Sequence, residues 1–98
     1  MPKGTDRRRY LVAYDISDDL RRSLIERVCK GFGWRIQFSV FECLLDEIGR
    51  DLMERRLLEL VDLSVDRLAI YQIAEGGTHR YGYEPGGGSH VPGRTRIV

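Results

Sequence analysis

Arg7-Arg8-Arg9-Tyr10-Leu11-Val12-Ala13-Tyr14-Asp15-Ile16-Ser17-Asp18-Asp19 is the stretch whose reading decides the fold. Three arginines lead into a short apolar run, Tyr10–Tyr14, which stops at a carboxylate-rich group. A run this short, closed by turn-forming residues, predicts a strand. Both of its faces are apolar, whereas a strand covered by helices on one side alone would alternate. Its second face therefore needs a cover of its own, and a partner subunit would supply one. Ser17 or Asp18 can cap a helix that begins near Asp19.

Working outward, Leu20, Leu24, Ile25, Val28 and Phe32 fall on one helical face, and Gly31 and Gly33 end the helix. Trp34–Cys43 reads as a second strand. Ile36, Phe38 and Val40 would point one way, and Arg35, Gln37, Ser39 and Phe41 the other. A second helix is expected from about Asp46 to Asp62, with Met53, Leu57, Leu60 and Val61 as its apolar face. A strand at about Asp66–Ile73 and a short one near Thr78–Tyr83 follow.

Counted this way the order is β-α-β-α-β-β. It becomes β-α-β-β-α-β if Trp34–Cys43 is bent. Two helices on one face of a mainly antiparallel sheet make an α+β, ferredoxin-like sandwich. Residues 1–83 are expected to form this domain. Residues 84–98 are expected to form a glycine-rich linker followed by a C-terminal strand or tail. Seven glycines lie in residues 76–98, and Pro85–Ser89 has linker composition. Beyond it, Arg94–Val98 has strand character and would either add to the edge of another protomer or remain a disordered tail.

A chain of 98 residues fits one domain, and a domain this small often gains stability by dimerising. The formal charge of +1 does not announce a nucleic-acid binder. The kind of charge says more. Only Lys3 and Lys30 among the 16 basic residues are lysines, so fourteen are arginines. Arginine suits bidentate contact with phosphate or carboxylate, although a high-GC genome would give the same bias. Cys29 and Cys43 form no CxxC pair, which speaks against zinc and for a reduced, cytoplasmic chain. The polar opening MPKGTDRRR does not read as a signal peptide. No apolar run approaches the ~20 residues of a membrane span.

The Asp15–Asp19 group is the densest set of carboxylates, with Asp15 at the end of the first strand. Carboxylates bind Mg²⁺, which activates water and neutralises a phosphodiester transition state. Asp18 and Asp19 also have a simpler role as helix cap and first-turn charge. Asp15 alone makes a poor metal site, and two copies at a dimer axis would make a better one. Arg21 and Arg22, against the dipole of the first helix, and Arg35, beside Gln37 and Ser39, are candidates for phosphate contact. For Arg21 and Arg22 ordinary surface charge is the more common explanation. Phe41 suits the core or a base-stacking platform. Lys30-Gly31-Phe32-Gly33-Trp34 has the look of an RNA-recognition box, but its glycines terminate a helix and its continuation does not fit. His79 and His90 lack partners at ligand spacing and read as surface residues.

Tyr14-Asp15-Ile16-Ser17-Asp18-Asp19, Arg21-Arg22 and Arg35-Ile36-Gln37-Phe38-Ser39-Val40-Phe41-Glu42, in this order and spacing, resemble the Cas-two family of CRISPR-associated proteins. The resemblance covers about residues 8–73. It implies a ferredoxin-like homodimer with its sheets face to face, and a Mg²⁺- or Mn²⁺-dependent endonuclease of RNA or double-stranded DNA. The family's strand-end aspartate falls on Asp15, as metal ligand and catalytic residue. Its arginines fall on Arg22 and Arg35 and its phenylalanine on Phe41, with Ser39 near the substrate. A second helix-one arginine of some members falls on Leu24, where this chain departs. The family also implies a scaffold role, holding DNA beside an integrase subunit during spacer acquisition. A VapD-type toxin ribonuclease, of the same architecture, and a small-molecule regulatory module are the alternatives.

Overall fold

The computed structural model describes residues 6–82. The elements run β1 (Arg8–Asp15), α1 (Asp19–Phe32), β2 (Gly33–Gln37), β3 (Val40–Leu45), α2 (Glu47–Leu60) and β4 (Arg67–Ile73). The order is thus β-α-β-β-α-β, the ferredoxin-like sandwich. The four strands form one sheet in the order β2-β3-β1-β4, with every neighbouring pair antiparallel.

The expected single strand Trp34–Cys43 is a hairpin of two strands. Phe38 and Ser39 form its turn, and the register shifts between Arg35 and Gln37. Phe38 therefore does not share a strand face with Ile36 and Val40. It sits at the hairpin tip and is 89% exposed. The short strand expected near residues 78–83 is not formed over residues 78–82. The proposed linker and tail, and His90, lie outside the described residues.

Helix boundaries follow local chemistry. The Asp18 side chain accepts from the Arg21 backbone N–H, and Asp46 accepts from that of Gly49, so both are N-caps. Helix α1 continues through Gly31 and ends at Phe32, with Gly33 as its C-cap. A Cβ at Gly33 would fall 2.6 Å from Cys43 Sγ and closer still to the Glu42 carbonyl. Only glycine lets the chain leave the helix directly into a strand hydrogen-bonded to β3.

The two helices cover one face of the sheet. Val12, Tyr14, Phe41 and Cys43 from that face meet Ile16, Ile25, Cys29, Met53 and Leu57 in the core, all buried. Leu20, expected on the apolar face of α1, lies in its first turn and is 69% exposed. Cys29 takes the central position in its place. Strand register puts Leu11, Ala13, Val40, Leu44, Ala69, Tyr71 and Ile73 on the opposite face. Among the described residues no helix packs there.

Candidate functional site

Asp15 closes β1 as an exposed residue, opposite Arg67 of β4 in the sheet register. The chain on both sides of it is fixed. On one side the Tyr14 N–H donates to the Ser39 carbonyl at 3.1 Å, which brings the β2–β3 hairpin tip to the strand end. The Tyr14 ring stacks on Phe41, centroids 6.3 Å apart, and burial pushes its hydroxyl pKa up. On the other side Ile16 is buried in the core, and its carbonyl accepts from Arg22 Nη1 at 3.2 Å. The Asp15 carboxylate makes no hydrogen bond or ion pair among the described residues. An exposed carboxylate with free lone pairs, on an immobilised backbone, can take a cation.

The other candidates fall into different places. Arg22 is 45% exposed beside this loop and pairs with Asp19. Arg35 lies on the helix side of the sheet, paired with Glu26 of α1, its guanidinium 5.3 Å from the centre of the Phe41 ring. Phe41 is fully buried, so its ring is core and not a stacking platform. Ser39 serves through its backbone carbonyl. Arg21 is partly exposed and engaged within the chain. Its Nε and Nη2 each lie 3.1 Å from an oxygen of Asp66, whose side chain is fully buried. Arg21, a candidate for phosphate contact, is thus engaged in an ion pair within the chain.

Two acids carry structural weight that the sequence did not single out. Asp66 also accepts from the Ser17 N–H (3.0 Å), the Ser17 hydroxyl (3.1 Å) and the Asp62 N–H (2.9 Å). These donors, with the Arg21 guanidinium first among them, hold its carboxyl far below the usual carboxylate range. Glu42, 1% exposed on the helix-free face, pairs with Arg9 and Arg80. No local pattern marks either acid, because all their partners but the Asp62 N–H lie 33 to 49 residues away.

Among the described residues, no three His, Cys, Asp or Glu side chains are grouped to hold a metal ion. Mg²⁺ commonly takes one or two carboxylates, keeps several waters and completes its shell with substrate phosphates. A single exposed Asp15 fits that habit as one carboxylate ligand. A cavity of about 460 Å³ opens at the other end of the sheet, between Arg8, Tyr10, Arg50 and Gln72, with Asp6 and Glu47 on its rim. It has no part in the Asp15 site. No helix among the described residues is long and apolar enough to cross a membrane.

Residues 8–80 match the family model described as CRISPR associated protein Cas2. The chain belongs to the Cas2 family. A curated relative, the CRISPR-associated endonuclease Cas2 2 of Thermus thermophilus, is 48% identical over 68 residues, 69% of this chain and 76% of the relative. A Cas2 endoribonuclease of Synechocystis is 37% identical over 65 residues, 66% of this chain and 71% of that protein. The Streptococcus pyogenes Cas2 crystal structure matches with a TM-score of 0.64 at 26% identity, over 68% of this chain and 87% of that one. A hypothetical protein of Thermus thermophilus matches at 0.76 with 46% identity, over 81% and 95% of the two chains. The Cas2 fold is thus shown for this chain, and the toxin and small-molecule readings lose their footing.

Proposed function

We propose that this chain is a cytoplasmic Cas2-type protein of CRISPR spacer acquisition, a metal-dependent nuclease of RNA or double-stranded DNA that works as a homodimer. The observation that carries the reading is Asp15, an exposed and unengaged carboxylate on a loop pinned at both flanks. The names of the relatives, endonuclease and endoribonuclease, support the reaction class. The helix-free sheet face, with Leu11, Ala13, Val40, Ala69 and Tyr71, supports face-to-face pairing of two sheets, because a lone chain leaves it only partly covered.

In this reading Asp15 and its copy from the second protomer hold Mg²⁺ or Mn²⁺. When bound, the ion supplies an activated water and neutralises charge on the phosphodiester. Asp15 fixes the place of that chemistry and orients the ligands it touches. Arg22, half exposed beside the loop, pairs with a phosphate oxygen by exchanging its Asp19 partner. Arg35 steadies the sheet edge through Glu26 and Phe41 and is the weaker phosphate candidate.

A second reading makes the dimer a non-catalytic DNA-binding scaffold for an integrase subunit. One observation favours it: each chain offers a single unengaged carboxylate at this loop. Asp15→Asn separates the two. For the nuclease, Mg²⁺-dependent cleavage falls by at least about a hundredfold, while duplex affinity holds or rises slightly. Arg22→Ala weakens duplex binding and flattens its salt dependence. Cleavage by Asp15→Asn at the parental rate refutes the catalytic role. A parent that binds duplex and never cuts it leaves the scaffold.

A further inference from the structure

The loop that carries Asp15 is held by a side chain from the far end of the sequence. Asp66 precedes Arg67, the β4 residue opposite Asp15 in the register. Its carboxylate takes the N–H and hydroxyl of Ser17, two residues beyond Asp15. It also takes two guanidinium nitrogens of Arg21 in the first turn of α1. The Asp62 N–H completes the set and ties in the α2–β4 loop. Arg21 Nη2 reaches the Ser17 hydroxyl as well, at 3.3 Å, which closes a small ring of contacts.

We infer that Asp66 is a positioning residue for the Asp15 site, acting through Ser17, and that Arg21 belongs to this strut. The inference rests on the Asp15 reading. Its physical basis is that a carboxylate fixed by several donors is a stiff object, and side chains that orient a ligand often matter nearly as much as the ligand itself. The Asp15–Ser17 segment is not part of a helix, and β1 ends at Asp15. Ile16 pins it through its core side chain, and Asp66 pins the next residue. With both in place the Asp15 carboxylate has little freedom except its own rotamers. Loss of Asp66 leaves the Ser17 N–H and the Arg21 guanidinium without their acceptor and frees the segment to fray from Ser17 back toward Asp15.

The test uses Asp66→Asn, which keeps size but removes charge and one acceptor oxygen, and Ser17→Ala, a milder variant that is safe for folding. Two readouts are independent of turnover. The first is amide hydrogen exchange. Ser17 and Asp62 exchange faster in Asp66→Asn, while Val12 in the middle of the sheet keeps its protection. The second is NMR line broadening by Mn²⁺ at the amides flanking Asp15. Half-broadening requires roughly tenfold more Mn²⁺ in Asp66→Asn, and about twofold more in Ser17→Ala.

A role confined to stability changes the folded fraction without moving the Mn²⁺ concentration at half-effect. If Asp66→Asn, or Ser17→Ala should Asp66→Asn not fold, broadens at the parental Mn²⁺ concentration, the positioning role is wrong. Asp15→Asn is measured alongside. If it loses the broadening and the strut variants do not, the strut alone fails. If Asp15→Asn broadens as the parent does, the Asp15 site itself fails, and the positioning role goes with it.

Discussion

The two faces of this sheet are built from the same strands and differ in what holds them. On the helix side, Val12, Phe41 and Cys43 are fully buried, and the helices complete an apolar core within one chain. On the other side, Leu11, Ala13 and Ala69 are only partly covered, Tyr71 is 57% exposed, and the buried polar group is Glu42 between Arg9 and Arg80. Register forces this division, since adjacent residues of β1 alternate between faces. The helix face thus carries the stability of the chain. The other face leaves apolar surface only partly covered, with its buried acid matched to two arginines, because an unpaired charge there would be costly.

Phe41→Ala breaks the helix face. It removes a fully buried ring that stacks on Tyr14 and supports Arg35, and costs about 3–5 kcal/mol. A domain of this size has little more stability than that, so the variant is largely unfolded or strongly destabilised in urea. A loss under about 1 kcal/mol would show that Phe41 is not part of the core in solution.

Tyr71→Asp probes the other face with a smaller effect on the fold. In one chain the side chain is more than half exposed, so stability of the monomer changes by about 0.5 kcal/mol or less. Between two sheets the same charge is buried without a partner, and dimer affinity falls about a hundredfold. Sedimentation velocity at micromolar concentration reads the shift from dimer to folded monomer. Unfolding as severe as that of Phe41→Ala would abolish the distinction between the faces, and an unchanged dimer would place the interface elsewhere.

The sequence carried this division only in part. The two-sided apolar run Tyr10–Tyr14, a cap at Ser17 or Asp18 and the strand-end place of Asp15 are readable, because strand period and capping chemistry are local. The hairpin was not. Its turn, Phe38-Ser39, has no Asn-Gly or Gly-X signal, so the alternation ran on through it and Phe38 was placed on a strand face. From sequence Arg21 reads as a phosphate contact or a surface charge, because its partner, Asp66, is 45 residues away. Asp66 and Glu42 had no local mark at all. Long-range ion pairs are fixed by packing, and periodicity does not see them.

Acid titration gives the smallest expected effect and separates the core from the strut. The thiols of the helix-face core add almost no pH dependence to stability below pH 9, since burial pushes Cys29 and Cys43 up to about 12 and both stay neutral. Asp66 behaves differently. The Arg21 pair and the Ser17 and Asp62 donors lower its folded pKa from 3.8. In the unfolded chain it protonates near the ordinary value, so the unfolded state binds the proton first as pH falls. The stabilisation is therefore complete above that value and is lost progressively as pH drops through about 4 toward the folded pKa. Asp62, lowered mainly by the Ser64 hydroxyl, adds a contribution of the same sign. The urea midpoint of the parent should hold steady from pH 7 to about 5 and fall below about 4. Asp66→Asn starts lower at pH 7 and loses less on acidification, since its own group no longer titrates. Parallel curves for parent and Asp66→Asn would mean that Asp66 is not held ionised by Arg21, and the strut would lose its electrostatic basis.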